Sequence, residues 1–148
     1  MVYYTNNPAI YNFTNDNDNL WISTVNGLYL MNKTTGSIKP YYTCNSGLPT
    51  NTIRCVAIEK NGVKWFGTSR GLTQFDGKNW MVYNSFNSPI PKAEIVKIVA
   101  DEQANKWILT SSLIKFDGTN WKTYNYSFVN ACIGKDGKKW FITNVGKL

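Results

Sequence analysis

Short apolar runs of four to six residues alternate with polar turns along the whole chain, and no helix-length window carries a 3.6-residue period. The pattern predicts strands throughout. Its clearest stretch begins with the run Ile53–Ile58, followed by a polar turn at Lys60-Asn-Gly62 and a second run, Lys64–Thr68. A turn at Ser69-Arg-Gly71 leads to Leu72–Phe75, and Asp76-Gly-Lys-Asn79 then leads to Trp80–Asn84. Asp-Gly between two apolar runs is a strong hairpin signal, because the glycine accepts the positive φ that such turns need. The segment therefore reads as four consecutive antiparallel strands.

The same unit recurs. Trp21, Trp65, Trp107 and Trp140 each follow a polar turn and open an apolar run, at intervals of 44, 42 and 33 residues. Gly27, Gly71 and Gly146 mark the turn after three of these runs. Phe75-Asp-Gly-Lys-Asn-Trp-Met-Val-Tyr-Asn84 and Phe116-Asp-Gly-Thr-Asn-Trp-Lys-Thr-Tyr-Asn125 agree at seven of ten positions. The first strand of the unit repeats as Ile95–Ala100 and Val129–Ile133. A period of about 40–45 residues with four strands is that of a β-propeller blade. The expected fold is all-β, a propeller of four-stranded antiparallel blades with about three and a half blades in the chain. Blades fall at about 9–43, 52–84 and 94–126, with a partial blade at 128–148 and an outer strand at 1–5, since the N-terminal residues resemble Met81–Pro89. Three arrangements stay open: a four-bladed ring, a head-to-tail pair sharing strands to make eight blades, or a piece of a longer array with exposed edges.

Composition sharpens this picture. Aromatic residues make up 15% and charged residues 17% of the chain, against about 25% charged in an average domain. That suits strands packing Trp, Tyr and Phe between sheets. The net charge of +7 is dispersed, with no basic stripe interleaved with aromatics, so nucleic acid is not an expected partner. No apolar stretch approaches the ~20 residues of a membrane-spanning helix, and the N-terminus lacks the regions of a signal peptide. The chain has no histidine, and Cys44, Cys55 and Cys132 show no metal-ligand spacing, so neither a zinc site nor another cofactor is expected. Cys55 and Cys132 sit in apolar runs and are expected to be small buried hydrophobes.

Aligned on its tryptophans, the unit resembles the two-component regulator propeller repeat. The matching residues are Gly62, Trp65-Phe66-Gly67-Thr68 and Gly71-Leu72 in one unit, with Asp136, Gly137, Trp140-Phe141 and Thr143 in the last. The likeness covers essentially the whole chain, with altered loops expected at Ser111-Ser112 and Asn32–Gly36. It implies a periplasmic or otherwise extracytoplasmic sensor module of the hybrid two-component systems of Bacteroidetes, recognising an oligosaccharide.

Repeated tryptophans are expected in the core between sheets, and Asp76, Asp117 and Asp136, each followed by Gly, are expected to shape turns. Neither a carboxylate pair nor a nucleophile–base arrangement remains, so the chain is not expected to be an enzyme. Candidate ligand contacts lie instead in loops that vary between units. Asn26, Arg70, Ser112 and Asn144 belong to the turns between second and third strands, and Asn51, Arg54 and Lys92 to connections between units or strand starts. Arg70 and Arg54 are the chain's two arginines, and Arg suits two-pronged contact with a carboxylate or sulfate. The expected function is a non-catalytic sensor or ligand-binding propeller module, its ligand an oligosaccharide and, given the arginines, an anionic one. The alternative is a protein-interaction or self-assembly module that completes its open terminal blade by strand sharing, as a homo-oligomer would.

Overall fold

The computed structural model describes residues 9–126 and 128–143. All regular structure in them is β. The first sheet runs β1 (Ile10–Asp16), β2 (Asn19–Thr24), β3 (Gly27–Asn32) and β4 (Ile38–Tyr41). The second runs β5 (Ile53–Ile58), β6 (Lys64–Thr68), β7 (Gly71–Phe75) and β8 (Trp80–Tyr83). The third runs β9 (Lys97–Ala100), β10 (Lys106–Leu109), β11 (Leu113–Phe116) and β12 (Trp121–Tyr124). A fourth contains β13 (Phe128–Ile133) and β14 (Lys139–Thr143). Every pairing is antiparallel between sequence neighbours. The expected outer strand at 1–5 and the end of the last unit, 144–148, lie outside the described residues.

The sheets fan out from their first strands. β1 lies beside β5, β5 beside β9 and β9 beside β13, and β2, β6 and β10 each reach the first strand of the following sheet. Every internal sheet is thus covered on both faces, which is why its strands are apolar at both parities. In β6, Trp65 faces the following sheet and Phe66 the preceding one. Trp65 packs with Ile98, Ile108 and Phe116, whereas Phe66 packs with Trp21, Leu28 and Tyr41. Trp21 and Trp65 are 2% exposed. At about 25 cal/mol per Å² over the ~150–250 Å² an aromatic side chain buries, each contributes at most about 4–6 kcal/mol.

The recurring Phe-Asp-Gly hairpins are built locally. Phe75 pairs across the turn with Trp80, and Phe116 with Trp121. The rings stack at 4.2 and 4.0 Å between centroids. Asp76 Oδ1 accepts hydrogen bonds from the backbone amides of Lys78 (2.8 Å) and Asn79 (2.6 Å). Gly77 and Gly118 sit at φ +102° and +106°, where a Cβ would be strained. Asp117 accepts from Thr119 and Asn120 in the same way, and Asp136 accepts from Lys138. These amide bonds hold the Asp76 carboxyl down at about 2. All three are turn residues.

Two expectations about the core fail at the last sheet. Trp140 is 56% exposed and Cys132 is exposed, although both lie in apolar runs. Cys132 pairs across the sheet with Trp140, so both point to the side where a following sheet would stack. No described element covers that side. Cys55, on an internal sheet, is buried as expected, and burial pushes its thiol up to about 12.

Candidate functional site

Two repeated devices shape the rim where the sheets are joined. In the turns between second and third strands, a threonine hydroxyl donates to a carbonyl beyond the turn: Thr24 to Gly27 at 2.8 Å and Thr68 to Gly71 at 2.7 Å. The same oxygen accepts the amides of Asn26 and Arg70, both at 3.0 Å. The hydroxyl stands in for a backbone partner and leaves the Asn26 and Arg70 side chains exposed to solvent. In the third sheet the loss of the glycine shortens this turn: Thr110 donates to Ser112, whose amide it also accepts.

The second device is the connection between sheets. Asn45 and Asn87 accept backbone amides from Tyr42 and Asn84, and donate to the carbonyls of Pro40 and Val82. The following serines, Ser46 and Ser88, donate back to the Tyr42 and Asn84 carbonyls. Two residues on, Leu48 (4% exposed) and Ile90 (1%) plug the gap between adjacent sheets. With its polar groups satisfied internally, each connection is a rigid loop at the rim.

Between the two devices of the second sheet lies a cleft of about 410 Å³, lined by Ser69 and Arg70, Asn84 to Phe86, Pro91 to Ala93, and Pro49. It brings together Arg70 and Lys92, two of the residues singled out in the sequence. It adds one that the sequence did not reveal, Phe86, which is 87% exposed with the Lys92 ammonium 5.6 Å from its ring centroid. Among the described residues neither cation has a carboxylate partner. The lining itself contains none. The corresponding place in the first sheet is filled. There Tyr42 covers Gly27 and its hydroxyl lies 3.1 Å from that of Tyr29. Asn84 occupies Tyr42's position in the second unit, and Phe86 that of Cys44. The change from Tyr42 to Asn84 was the readable signal for the cleft.

The other candidates are placed elsewhere. Arg54 does not line the cleft; its guanidinium donates to Glu94 at 2.7 Å and lies 4.2 Å from the Tyr11 ring centroid. It ties three successive sheets' inner segments together. Asn51 accepts the Thr43 amide with its side chain (2.9 Å), and its carbonyl accepts the Gly27 amide (2.7 Å), so it braces a connection. Asn26 is exposed beside the filled position, its carbonyl bonded by Tyr29. Asn144 lies outside the described residues.

Three carboxylates that the sequence reading passed over form a repeated junction. The indole N–H groups of Trp21, Trp65 and Trp107 donate to Asp16 (3.0 Å), Glu59 (2.8 Å) and Asp101 (3.1 Å), at the end of their own sheet's first strand or just beyond. From the following sheet, the lysine that precedes each next tryptophan closes on the same carboxylate. The distances are 3.1 Å for Lys64–Asp16, 2.9 Å for Lys106–Glu59 and 3.3 Å for Lys139–Asp101. Burial raises the Asp101 carboxyl, but hydrogen bonds from Trp107, Asn105 and Lys139 outweigh it and bring it to about 2. Its oxygens are occupied, which suits a structural tie and not proton transfer. No cluster of metal-ligating side chains occurs among the described residues, and no described helix is long and apolar enough to cross a membrane.

No family model and no curated protein matches the chain. Solved structures do. The extracellular domain of the putative one component system BT4673 from B. thetaiotaomicron aligns with a TM-score of 0.77 at 21% identity, covering 95% of this chain and 21% of that one. The extracellular domain of the putative hybrid two component system BT3049 from the same organism gives 0.76 at 21% identity, covering 89% and 20%. Virginiamycin B lyase from Staphylococcus aureus gives 0.71 at 19% identity, covering 91% and 49%. The chain thus spans about a fifth of the length of the two extracellular domains and about half that of the lyase. Its all-β, propeller-like fold is similar to that of these extracellular domains and of the lyase.

Proposed function

We propose that the chain is a ligand-binding segment of an extracytoplasmic sensor propeller, without catalytic chemistry of its own, and that the cleft of the second sheet receives an anionic oligosaccharide. One observation carries the reading: Arg70 and Lys92 stand unpaired at a cleft whose rim offers the flat face of Phe86. A guanidinium matches the two oxygens of a uronate carboxylate or a sulfate, and an exposed aromatic face suits the apolar face of a sugar ring. Rigid connections on both sides support the cleft, so little ordering opposes binding. The carboxylates favour a role without catalysis. Asp16, Glu59 and Asp101 are each bonded by an indole and an ammonium, Asp76, Asp117 and Asp136 are bound into turns, and the cleft lining has none. The sensor role and the location rest on the repeat motif and on the likeness to extracellular sensor domains. In this reading the sheets are blades of a ring larger than the described part of the chain.

Calorimetric titration with uronate-containing, sulfated and neutral oligosaccharides tests the proposal. Acidic glycans should bind and neutral ones of the same backbone should not. Arg70→Ala should weaken binding about tenfold or more, as expected for loss of a charge-assisted hydrogen bond, with the melting temperature little changed. A panel of acidic glycans that all fail to bind removes the reading.

A further inference from the structure

Because the sheets fan out from their first strands, the space between two of them widens toward the fourth strand. Between the first and second sheets this space is filled by Trp21, Tyr41, Phe75 and Trp80, whose rings touch with centroids 4.2 to 6.4 Å apart. Beyond the rings the fan stays open as a second cleft, of about 490 Å³. Lys39 of β4 lines it from the first sheet, and Lys78, in the turn between β7 and β8, lines it from the second. It shares no residue with the Arg70 cleft.

The charges around this cleft do not balance. Its lining holds three ammonium groups, those of Lys39, Lys64 and Lys78, and one carboxylate, that of Asp16. Asp16 Oδ2 is taken by Lys64 at 3.1 Å and by the Trp21 indole at 3.0 Å, so Lys64 matches its charge. Lys39 and Lys78 are left over, and neither has a carboxylate partner among the described residues. Asp76 is close to Lys78 in sequence but is held in its own turn by the Lys78 and Asn79 amides, and it does not line the cleft. The Lys39 ammonium lies 5.1 Å from the Tyr41 ring centroid, which steadies its long stem against the aromatic floor. The next junction shows that stacking does not require this pair. Between the second and third sheets, Met81 stands in register where Lys39 does, and Thr119 stands in the turn where Lys78 does. Lys106, the counterpart of Lys64, is kept there as the structural tie.

We infer that this cleft is a second binding site, and that it takes a tetrahedral oxyanion, the phosphate or sulfate ester group of a small molecule, between Lys39 and Lys78. Two like charges that line one gap repel each other, and a bound anion turns that repulsion into attraction to both. Lysine suits such a group. Its ammonium is a compact charge with three donors on a flexible stem, and it can meet oxygens that point in several directions. The planar guanidinium of Arg70 favours two coplanar oxygens instead. The aromatic floor adds a wall of low polarity, which concentrates the field of the two cations in the cleft.

Titration with glucose 6-phosphate at low ionic strength, where exposed charges are least screened, tests the site, with the phosphorus resonance of the ester as the readout. Glucose 6-sulfate is titrated as the second arm, by its competition with the phosphate ester or by calorimetry, and glucose is the neutral control. At least one ester should bind at a single site with a dissociation constant on the order of 1 mM, as two solvent-exposed charge-assisted contacts allow. Lys39→Met and Lys78→Thr install the residues of the next junction. Each should weaken binding at least about tenfold with the melting temperature unchanged, since both side chains are exposed. Lys122→Met removes an equal charge outside the cleft, from a lysine that also lies 5.1 Å from a tyrosine ring centroid, and should leave binding as it was. Arg70→Ala should leave it unchanged too, so this inference and the Arg70 reading fail separately. Binding of both esters supports the shared oxyanion chemistry, and binding of one alone supports it and names the ester. Failure of both esters to bind, glucose binding as tightly as they do, retention of binding in Lys39→Met and Lys78→Thr, or an equal loss in Lys122→Met each overturns the inference.

Discussion

The junction between the second and third sheets allows a measurement of what these carboxylate–lysine ties contribute. Lys106 and Glu59 are paired at 2.9 Å, and their side chains are 4% and 5% exposed. Lys106 also donates to the Ala104 carbonyl at 2.7 Å and sits 4.8 and 5.0 Å from the ring centroids of Trp65 and Phe116. Lys106→Met keeps the apolar stem and removes the ammonium, leaving Glu59 buried with only the Trp65 indole. Breaking such a pair costs about 3–5 kcal/mol, a large share of the ~5–15 kcal/mol that holds a typical domain folded. At roughly 3 °C per kcal/mol for a chain of this size, the melting temperature should fall by about 10–15 °C. The double variant Glu59→Gln/Lys106→Met leaves no charge and keeps an acceptor for the indole, so it should recover most of the loss. Lys60→Met is the control. Its partner Glu102 lies at 3.1 Å, but the two side chains are 76% and 64% exposed, and the cost should be below about 1 kcal/mol. Urea denaturation followed by tryptophan fluorescence measures all four proteins. A Lys106→Met cost no larger than that of Lys60→Met, or a double variant no more stable than Lys106→Met alone, would refute the reasoning.

Two further outcomes follow from the same packing. The Asp101 carboxyl lies at about 2 in the folded chain against an ordinary 3.8, so it stabilises the fold above its unfolded value and that contribution disappears as pH falls from about 4 to about 2. The amount is about 2 kcal/mol, and the acid-induced loss of stability should be smaller by that amount in Asp101→Asn. Thr73 is fully buried, with no hydrogen-bond partner for its hydroxyl among the described residues. Thr73→Val should raise the urea midpoint, by about 1 kcal/mol of stability, because it removes an unsatisfied polar atom without opening a cavity; an unchanged or lower midpoint would show that the hydroxyl is satisfied.

The fold was legible because its signals are local. A cross-strand pair such as Phe75 and Trp80 is separated by four residues, and the Asp76-Gly77 turn between them carries its own hydrogen bonds. The site was legible only in part. Arg70 and Lys92 stood out as charges in loops that vary between units, but Phe86 looked like one more aromatic in an aromatic-rich chain. Arg54 could not be separated from Arg70 by inspection, because its partners Glu94 and Tyr11 are forty or more residues away in sequence.

The order of residues alone determined the strands, their hairpins, the recurrence of a four-stranded unit and the loops in which ligand contacts could lie. Periodicity and turn chemistry act within a few residues, and no distant contact is needed to express them. Tertiary structure decided which apolar faces are covered. Trp65 and Trp140 share the local pattern Gly-x-Lys-Trp-Phe-x-Thr, yet one is buried and the other exposed, because burial depends on a neighbouring sheet being present. It also decided that Asp16, Glu59 and Asp101 are junction ties and that one rim position opens as a cleft while its counterpart is filled. Those outcomes depend on how one unit stacks on the next, a geometry that no single unit's sequence contains.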